Sequence, residues 1–223
     1  MLNHLIHFFK TNFVPIIFPS FCRHCRAFLN GEEVFCNGCI KLIKPVASVD
    51  VMVTQTYSCP VWAISDYQEP LRSLILAKMY GDITAAVQLG NLLVEFTPVK
   101  HYEFDVVIPI PLHWQRYAKR GYNQAHEMAK VIAYQKKIIC CQALKRMRAT
   151  QYQAQLSVEE RIANVGDVFT LDVRYHDLII NKRILLVDDL FTTGATIKSA
   201  IKVLKKLKPA SITIAVACRV AHS

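Results

Sequence analysis

Two adjacent carboxylates and a group of hydroxyls stand close together near the end of the chain. Asp188 and Asp189 are followed by a short turn that contains Thr192, Thr193, Gly194 and Thr196. Hydroxyls beside the start of a helix favour phosphate, because the unpaired N–H groups and the helix dipole attract an anion. The acidic pair repels phosphate and suits vicinal hydroxyls, a divalent cation, or both. A sugar phosphate with free hydroxyls satisfies both halves, whereas the lysine of the nucleotide-binding P-loop pattern is absent.

The residues around this group predict a strand before it and a helix after it. Residues 184–187 are all apolar, which is typical of a strand buried on both faces of a parallel sheet. A helix is predicted over 196–208, and Pro209 ends it. Its apolar stripe is Ile197, Ala200, Ile201, Leu204 and Leu207, and its water-facing lysines are Lys198, Lys202, Lys205 and Lys206.

This ordered set resembles the phosphoribosyl pyrophosphate (PRPP) motif of type I phosphoribosyltransferases. The resemblance implies that Asp188 and Asp189 hold the ribose hydroxyls together with Mg²⁺. It also implies that the turn binds the 5′-phosphate through Thr192, Thr193, Gly194, Ala195 and Thr196. The alternative is a surface turn whose threonines only cap the helix.

A second unit of strand, loop and helix is predicted earlier in the chain. Residues 105–110 have the pattern of a buried strand, and Asn123 is placed to cap a helix that runs to about residue 135. The loop between them carries Arg116, Lys119 and Arg120. Loops that follow parallel strands open on one edge of the sheet, so this loop should meet the threonine turn. In phosphoribosyltransferases the corresponding loop holds pyrophosphate; a solvated basic loop is the alternative.

Further cations are candidates for the same ligand. Residues 145–164 form a long polar stretch between core strands, which resembles the mobile lid of the phosphoribosyltransferase fold. Arg146, Arg148 and Arg161 could meet the leaving group or grip a nucleic-acid backbone. Arg148 and Arg161 join the acidic pair as predicted catalytic residues. Lys78, before a glycine turn, could reach an anion or could simply be solvated.

Four cysteines near the start of the chain have the spacing of a metal site. Cys22-x-x-Cys25 and Cys36-x-x-Cys39 predict two knuckles that together complete a tetrahedron around zinc. Four thiolates leave no open position, so a structural role is expected; a pair of redox dithiols is the alternative. The other cysteines are expected to be buried thiols in a reducing compartment, and they are Cys59, Cys140, Cys141 and Cys218.

The length, composition and net charge of the chain restrict the class of protein to which it can belong. The chain has 223 residues, 52% of them hydrophobic, which suits one main domain with an appendage. A formal net charge of +10 favours a polyanionic partner or an anionic membrane surface, or serves solubility alone. No uncharged apolar run is long enough for a transmembrane helix.

Residues 1–21 carry apolar side chains at helical spacing without the basic start or cleavage site of a signal peptide. They predict either a short helix that packs on the body of the protein or an amphipathic helix that lies on a membrane surface or on a partner protein.

Taken together, the motifs make the chain resemble the ComF family over nearly its whole length. They are the two cysteine pairs and residues 78–82, 111–125, 148–165 and 187–196. The resemblance implies an α/β type I phosphoribosyltransferase fold, a mostly parallel twisted sheet flanked by helices, with a small N-terminal four-cysteine zinc finger. The predicted division is 1–45 for the amphipathic segment and finger and 46–223 for the phosphoribosyltransferase-like domain.

The resemblance also implies a role in DNA uptake and natural transformation. The expected partners are PRPP with Mg²⁺, single-stranded DNA and competence or DNA-translocation proteins, with a cytoplasmic location and peripheral contact at the inner membrane. Trp114, Tyr117 and Tyr122 are placed to stack bases. A more distant likeness to the synthetic half of glutamine phosphoribosylpyrophosphate amidotransferase gives the alternative, a metabolic Mg²⁺-dependent phosphoribosyltransferase with an unidentified acceptor. No hood that would select a base is evident in the sequence.

Overall fold

The computed structural model describes residues 20–29, 31, 33–46, 48–79, 81–146 and 168–220. In chain order the elements are β1 (Ser20–Phe21), β2 (Phe28–Leu29), α1 (Asn37–Ile40), β3 (Val49–Thr54), β4 (Tyr57–Asp66), α2 (Leu71–Met79), α3 (Ile83–Phe96), β5 (Val106–Pro109), α4 (Trp114–Arg120), α5 (Gln124–Lys136), β6 (Ile139–Cys140), β7 (Leu144–Arg146), β8 (Phe169–Leu171), β9 (Arg183–Phe191), α6 (Ala195–Lys205) and β10 (Ser211–Arg219). Short 3₁₀ turns cover Pro98–Lys100 and Val173–Leu178.

The main sheet has the order β3-β4-β10-β9-β5-β6 within the described residues. Strands β4, β10, β9, β5 and β6 run parallel to their neighbours, and only β3 pairs antiparallel, along β4. The predicted mostly parallel sheet flanked by helices is therefore confirmed. Two-residue and three-residue strands form separate pairs, β1 with β2 and β7 with β8.

Strand β9 lies at the centre of the sheet because its apolar run is buried on both faces. Ile184, Leu185, Leu186 and Val187 have no exposed surface. β9 pairs with β10 along its whole length, but its pairing with β5 ends at Val187 opposite Pro109. The last four residues of β9 therefore extend past β5, and this step in the sheet edge opens a cleft.

Two apolar cores cover the two faces of the sheet. One includes residues of α2, α3 and α5, namely Leu74, Leu89, Leu93, Met128 and Ile132. The other lies against α6 and β8, with Ile197, Ile201, Leu204 and Phe169. Alternate residues of β9 join alternate cores, since successive side chains of a strand point to opposite faces. Helices α3 and α5 approach closely at Gly90, where an added Cβ would lie 2.9 Å from that of Val131.

The four-cysteine segment packs on the α3 face rather than standing apart. Cys22, Phe35, Cys39 and Ile43 belong to the same apolar core as α3. Arg23 also donates to Asp82 at 2.8 Å and to Gln88 at 3.1 Å. The predicted domain boundary between residues 45 and 46 stays a prediction.

Two segments differ from the sequence-based expectation. The basic stretch predicted as a loop forms the short helix α4, capped by the His113 side chain at its start and by Gly121 with φ 77° at its end. Residues 138–144 have a largely apolar sequence that predicts one further strand. The segment is instead divided: β6 stays in the main sheet, whereas β7 pairs with β8.

Several expectations fall on residues that are not described. The amphipathic segment predicted over 1–21 lies outside the described residues except for Ser20 and Phe21. The predicted catalytic residues Arg148 and Arg161 also lie outside them, as do most of the predicted lid and the side chain of Lys78. Among the helices that are described, none combines the length and apolar character needed to cross a bilayer.

Candidate functional site

A cavity of about 690 Å³ opens where β9 extends past β5. Its wall combines acidic, hydroxyl, basic and apolar side chains from α2, α4, α5, β7, β9 and α6 and from the segments that follow β4, β5 and β9. The polar and charged lining residues include Asp188, Asp189, Thr192, Thr196, Arg116, Arg120, Arg146, His113, Gln115, Asn123 and Gln124. The two loops that the sequence predicts at one sheet edge therefore do meet.

The acidic pair stands on the last part of β9. The backbone N–H of Asp189 donates to Oδ1 of Asp188 at 2.8 Å, which fixes the orientation of that carboxylate. Both residues are half-buried and line the cavity. Carboxylate oxygens beside a space for substrate oxygens and water are the donor set that Mg²⁺ prefers, so the residues fit the expected magnesium.

The threonine turn depends on Gly194. This residue has φ 74° and precedes the first turn of α6, whose Lys198 N–H donates to the Gly194 carbonyl at 2.8 Å. An added Cβ at Gly194 would lie 3.0 Å from the Phe191 ring. Thr192 and Thr196 line the cavity. The other residues of the turn, Thr193, Gly194 and Ala195, do not line it and instead form the backbone of the turn.

Three arginines carry the positive charge of the cavity wall. Arg116 and Arg120 reach it from α4, while Lys119 on the same helix is exposed and outside the lining set. Arg146 at the end of β7 lines the cavity as well, with its guanidinium carbon 5.6 Å from the centre of the Phe169 ring. Burial and nearby Arg116 lower the pKa of Arg146, while Asp188 opposes that shift.

The base-stacking candidates separate into two kinds. Trp114 and Tyr117 of α4 are about half exposed, at 49% and 52%. Tyr122 is buried, and its hydroxyl donates to the Asp82 carbonyl at 3.0 Å. Tyr122 is therefore wrongly placed for stacking, because its ring is enclosed and its hydroxyl supports the backbone between α2 and α3.

Sequence reasoning assigned no binding role to Gln124, Tyr67 or Ile75, which also line the cavity. Gln124 lies within the quoted motif 111–125, but its sequence position indicates only a helix start. Asn123 does cap α5 as predicted, accepting from the Ala125 N–H at 3.2 Å and donating to the Ile110 carbonyl at 2.9 Å.

The four N-terminal cysteines form one cluster. The sulfur atoms of Cys22, Cys25, Cys36 and Cys39 all lie within 4.8 Å of one another, and those of Cys25 and Cys36 are 3.6 Å apart. Tetrahedral zinc with bonds of about 2.3 Å separates its sulfur ligands by about 3.8 Å, so the cluster fits zinc. His24 points away from this cluster, since its Nδ1 lies 3.2 Å from a carboxylate oxygen of Glu69.

The thiols of this cluster differ in acidity. Burial opposes ionisation of Cys22, but hydrogen bonds from the backbone N–H groups of Cys36, Cys25 and His24 prevail and lower its pKa to about 6. Burial and the neighbouring thiols raise the pKa of Cys39 well above its ordinary range. A bound cation would complete the ionisation of all four, because thiolates are the ligands that zinc takes. The eight cysteines, all within the described residues, form no disulfide. Cys59, Cys141 and Cys218 are buried as expected, while Cys140 is half-buried.

Comparison with known proteins agrees with the fold and with the expected resemblance. Residues 101–223 match the family described as "Phosphoribosyl transferase domain". Competence protein F of Haemophilus influenzae is 29% identical over 209 residues, covering 83% of this chain and 91% of the relative. Competence protein ComFC of Streptococcus pneumoniae is 24% identical over 196 residues, covering 79% and 84%. DNA utilization protein YhgH of Escherichia coli K12 is 26% identical over 175 residues, covering 72% and 74%.

Among solved structures, the glutamine PRPP amidotransferase from B. subtilis matches with 18% identity and a TM-score of 0.47, over 63% of this chain and 30% of that chain. This chain thus spans under a third of the length of that enzyme. The resemblance to ComF proteins predicted from the motifs is confirmed by the curated relatives. Because the family model matches more than half of its length, the chain belongs to the phosphoribosyl transferase domain family.

Proposed function

We propose that this protein is a DNA-handling factor of the competence type whose cavity binds PRPP together with Mg²⁺. One observation carries the proposal: a single cavity joins the threonines at the start of α6 and the acidic end of β9 to arginines that follow β5. PRPP has the matching order of groups, since its ribose hydroxyls lie between a monophosphate and a pyrophosphate. The names of the curated relatives support the DNA-handling part.

Each part of the cavity takes one part of the ligand in this proposal. Thr192, Thr196 and the first turn of α6 receive the 5′-phosphate. Asp188 and Asp189 hold the ribose hydroxyls and Mg²⁺, which would neutralise part of the pyrophosphate charge. The arginines of α4 and Arg146 receive the pyrophosphate. If the pyrophosphate leaves, positive charge develops on the ribose, and the two carboxylates favour that state.

Calorimetry with PRPP and MgCl₂ tests the ligand assignment. The double substitution Asp188→Asn and Asp189→Asn keeps the size of both side chains and removes their charge. We expect PRPP affinity to fall at least about 100-fold, because both the hydroxyl contacts and the cation site are weakened. Asp177→Asn, at an exposed position of the 3₁₀ turn Val173–Leu178, serves as the control. Unchanged affinity in the double variant would refute the assignment.

Single-stranded DNA is the polymer that we propose for the α4 surface. The exposed rings of Trp114 and Tyr117 alternate there with Arg116 and Lys119. Aromatic side chains that stack bases, next to cations that track the phosphates, bind single strands with little sequence preference. The formal net charge of +10 supports the same partner.

Fluorescence anisotropy with a labelled oligonucleotide tests this surface. Trp114→Ala with Tyr117→Ala should weaken binding about tenfold or more, since each stacked base contributes about 1–3 kcal/mol. Lys119→Ala should lower the slope of log affinity against log salt by about one. Tyr134→Ala removes an 86% exposed ring near the far end of α5 and should change nothing. Binding that is insensitive to salt would contradict the proposal.

The same measurements distinguish the DNA-handling proposal from the metabolic alternative. PRPP binding without oligonucleotide binding, accompanied by pyrophosphate release when a small acceptor is added, would favour a metabolic phosphoribosyltransferase.

Peripheral placement on the cytoplasmic side of the inner membrane, with contacts to DNA-translocation proteins, belongs to the proposal as well. Fractionation of cells at low salt tests it, and recovery wholly in the supernatant would count against it.

A further inference from the structure

Strand β3 forms one edge of the main sheet. Within the described residues it pairs with β4 alone, so the backbone groups on its outer side meet no neighbouring strand there. Val51 and Val53 are buried in the core that also contains α6. The alternate residues of β3 are exposed on the opposite face, and they are Asp50, Met52 and Thr54. A sheet edge that presents unpaired N–H and C=O groups is a template for a further strand.

A second cavity, of about 420 Å³, lies beside residues 49–52 of β3, and we call it the β3 groove. Its other walls come from the threonine turn, the start of α6 and the end of β10, and these residues are Phe191, Thr192, Thr193, Lys198, Arg219 and Val220. The strand contributes apolar surface to the groove, since Val49 is 37% exposed and Met52 is 53% exposed. The groove therefore combines an open strand edge with apolar and basic side chains.

One side of α6 brings a row of lysines to this edge. Lys198, Lys202 and Lys205 are spaced four and three residues apart, so they share one side of the helix. Lys198 lines the β3 groove. Nζ of Lys205 lies 3.3 Å from the centre of the ring of Tyr57, the residue that pairs with Thr54 of β3. Both ends of the row thus lie beside β3, and the row follows the strand along its length.

Positive charge prevails around the β3 groove. Arg219 is half-buried in its wall, where Nε donates to Asp66 at 2.7 Å. Among the described residues that line the groove, Asp50 is the sole acid, and it lies on the face of β3 that points away from α6. The α6 side of the edge therefore favours acidic groups, whereas the other side presents the apolar surface of Met52.

We propose that the β3 edge binds an extended segment of a partner protein in which acidic and apolar residues alternate. Successive side chains of an added strand point to opposite faces of the sheet. Every second residue would therefore meet the lysines of α6, and the residues between them would pack on Met52. Backbone hydrogen bonds to the outer edge of β3 supply affinity, and the alternation of side chains supplies specificity. This partner is a polypeptide, separate from PRPP and from the oligonucleotide proposed for α4.

Single-stranded DNA is also negatively charged, but it matches this edge less well. Proteins that bind single strands stack the bases on exposed aromatic rings. Among the described residues that line the β3 groove, the sole aromatic ring is that of Phe191. This residue is half-buried, and its ring lies 3.0 Å from the position of a Cβ added at Gly194. A polypeptide strand, in contrast, uses the outer backbone edge of β3.

Fluorescence anisotropy with labelled synthetic peptides tests the proposal. The probe is a capped peptide of about eight residues in which glutamate and valine alternate, long enough to pair with β3. A second peptide has the same composition with all glutamates in one block. Two further peptides carry N-methyl groups, one on every glutamate and the other on every valine. Each removes the N–H groups from one edge of the peptide strand and leaves the other edge intact.

The protein variants change exposed side chains at the proposed edge. Lys202→Glu reverses one charge of the α6 row, and Met52→Ser removes the apolar contact. Lys100→Glu, in the 3₁₀ turn Pro98–Lys100, changes the net charge by the same amount at an exposed position that follows α3. Thermal melts of all three variants should match the wild type, because the replaced side chains are exposed.

We expect the wild type to bind the alternating peptide and to bind the block peptide at least about tenfold more weakly. Lys202→Glu and Met52→Ser should each weaken the alternating peptide about fivefold or more, whereas Lys100→Glu should bind it as the wild type does. One N-methylated peptide should lose binding and the other should keep it, since one edge of an added strand faces β3.

Four results would overturn the proposal. The first is no saturable binding of the alternating peptide to the folded wild type. The second is equal binding of all four peptides, which would show charge attraction without strand pairing. The third is a loss of oligonucleotide affinity, and not of peptide affinity, in Lys202→Glu, which would assign the lysine row to DNA. The fourth is self-association of the wild type that Met52→Ser abolishes, without peptide binding, which would assign the edge to a second copy of this chain. None of these results bears on PRPP binding, because Lys202 and Met52 do not line the cavity of the acidic pair.

Discussion

Asp105 and Arg183 show how one residue pair holds two strands of the site in place. The backbone N–H of Arg183 donates to Asp105 at 2.7 Å, and its side chain donates through Nε at 3.2 Å and Nη2 at 3.0 Å. These side-chain and backbone hydrogen bonds lower the pKa of Asp105 from its ordinary value of 3.8 to about 2. The contact joins the starts of β5 and β9, whose opposite ends form the cavity.

The shift at Asp105 predicts how stability depends on pH. Its pKa is lower in the folded protein, so its contribution is complete above about pH 4 and is lost as the pH falls through about 2. Asp105→Asn should therefore destabilise the protein at pH 7 by about 1 kcal/mol, a modest amount because the pair is partly exposed. Thermal melts of both proteins from pH 7 to pH 2 should converge at the acidic end. A difference that does not change with pH would contradict this.

Gly194 fixes the shape of the threonine turn. Its φ of 74° and the 3.0 Å approach to the Phe191 ring leave no room for a side chain. Gly194→Ala should lower stability by about 1 kcal/mol or more and weaken PRPP binding, because the threonine turn must shift. Gly31→Ala, where an added Cβ meets no atom within 4 Å, is the control for both measurements. Equal PRPP affinity in the two variants would show that the turn does not shape the site.

Asp82 connects the cysteine cluster to the starts of helices α3 and α5. Its carboxylate caps α3 by accepting from the Ala85 N–H at 3.1 Å and also accepts from Arg23 at 2.8 Å. Its backbone carbonyl accepts from the Tyr122 hydroxyl, one residue before the cap of α5. Asp82, the last residue of the motif at 78–82, thus joins the first cysteine pair, α3 and the start of α5.

Removing the Asp82 carboxylate should loosen this junction. Asp82→Ala loses a helix cap and a half-buried ion pair, together about 1–2 kcal/mol. It should lower the melting temperature and speed the release of zinc to a colorimetric chelator, since Arg23 lies next to Cys22. Glu95→Ala changes an exposed position of α3 and should alter neither measurement. An unchanged rate of zinc release from Asp82→Ala would show that the ion pair with Arg23 does not stabilise the Cys22–Cys25 pair.

The elements that the sequence predicts well are those with a strong internal pattern. Strand β9 contains the apolar run 184–187 and α6 has a clear apolar stripe, so the local pattern identifies both. Helix α4 was missed because none of its residues from Trp114 to Arg120 is buried and its caps alone define it. Within the described part of the chain the side-chain nitrogen of Gln124 has no hydrogen-bond partner, and this could not be predicted, since it depends on how the start of α5 packs in the fold. A pattern read along the chain contains no information on such packing.

At the scale of the whole molecule, the cysteine cluster and the α/β sheet share one interior. Cys22 and Cys39 are buried in the same core as Leu89 and Leu93 of α3. Two of the four sulfurs of the cysteine cluster therefore belong to residues that also form part of the main core. The predicted boundary between residues 45 and 46 consequently divides the sequence at a point where the apolar packing is continuous.

This continuity predicts that the described chain unfolds as one unit. Calorimetric melting of the zinc-loaded protein should give a single transition, because the finger has no separate core to keep it folded. Removing zinc with a chelator should shift that whole transition downward by at least about 10 °C, since metal binding contributes directly to folding. Cys22→Ser should reproduce the shift and abolish zinc binding, while Cys140→Ala, outside the four-cysteine cluster, should keep full zinc content. Two separate transitions, or a main transition that zinc removal leaves in place, would show instead that the finger is an independent module and that the shared core contributes little to its stability.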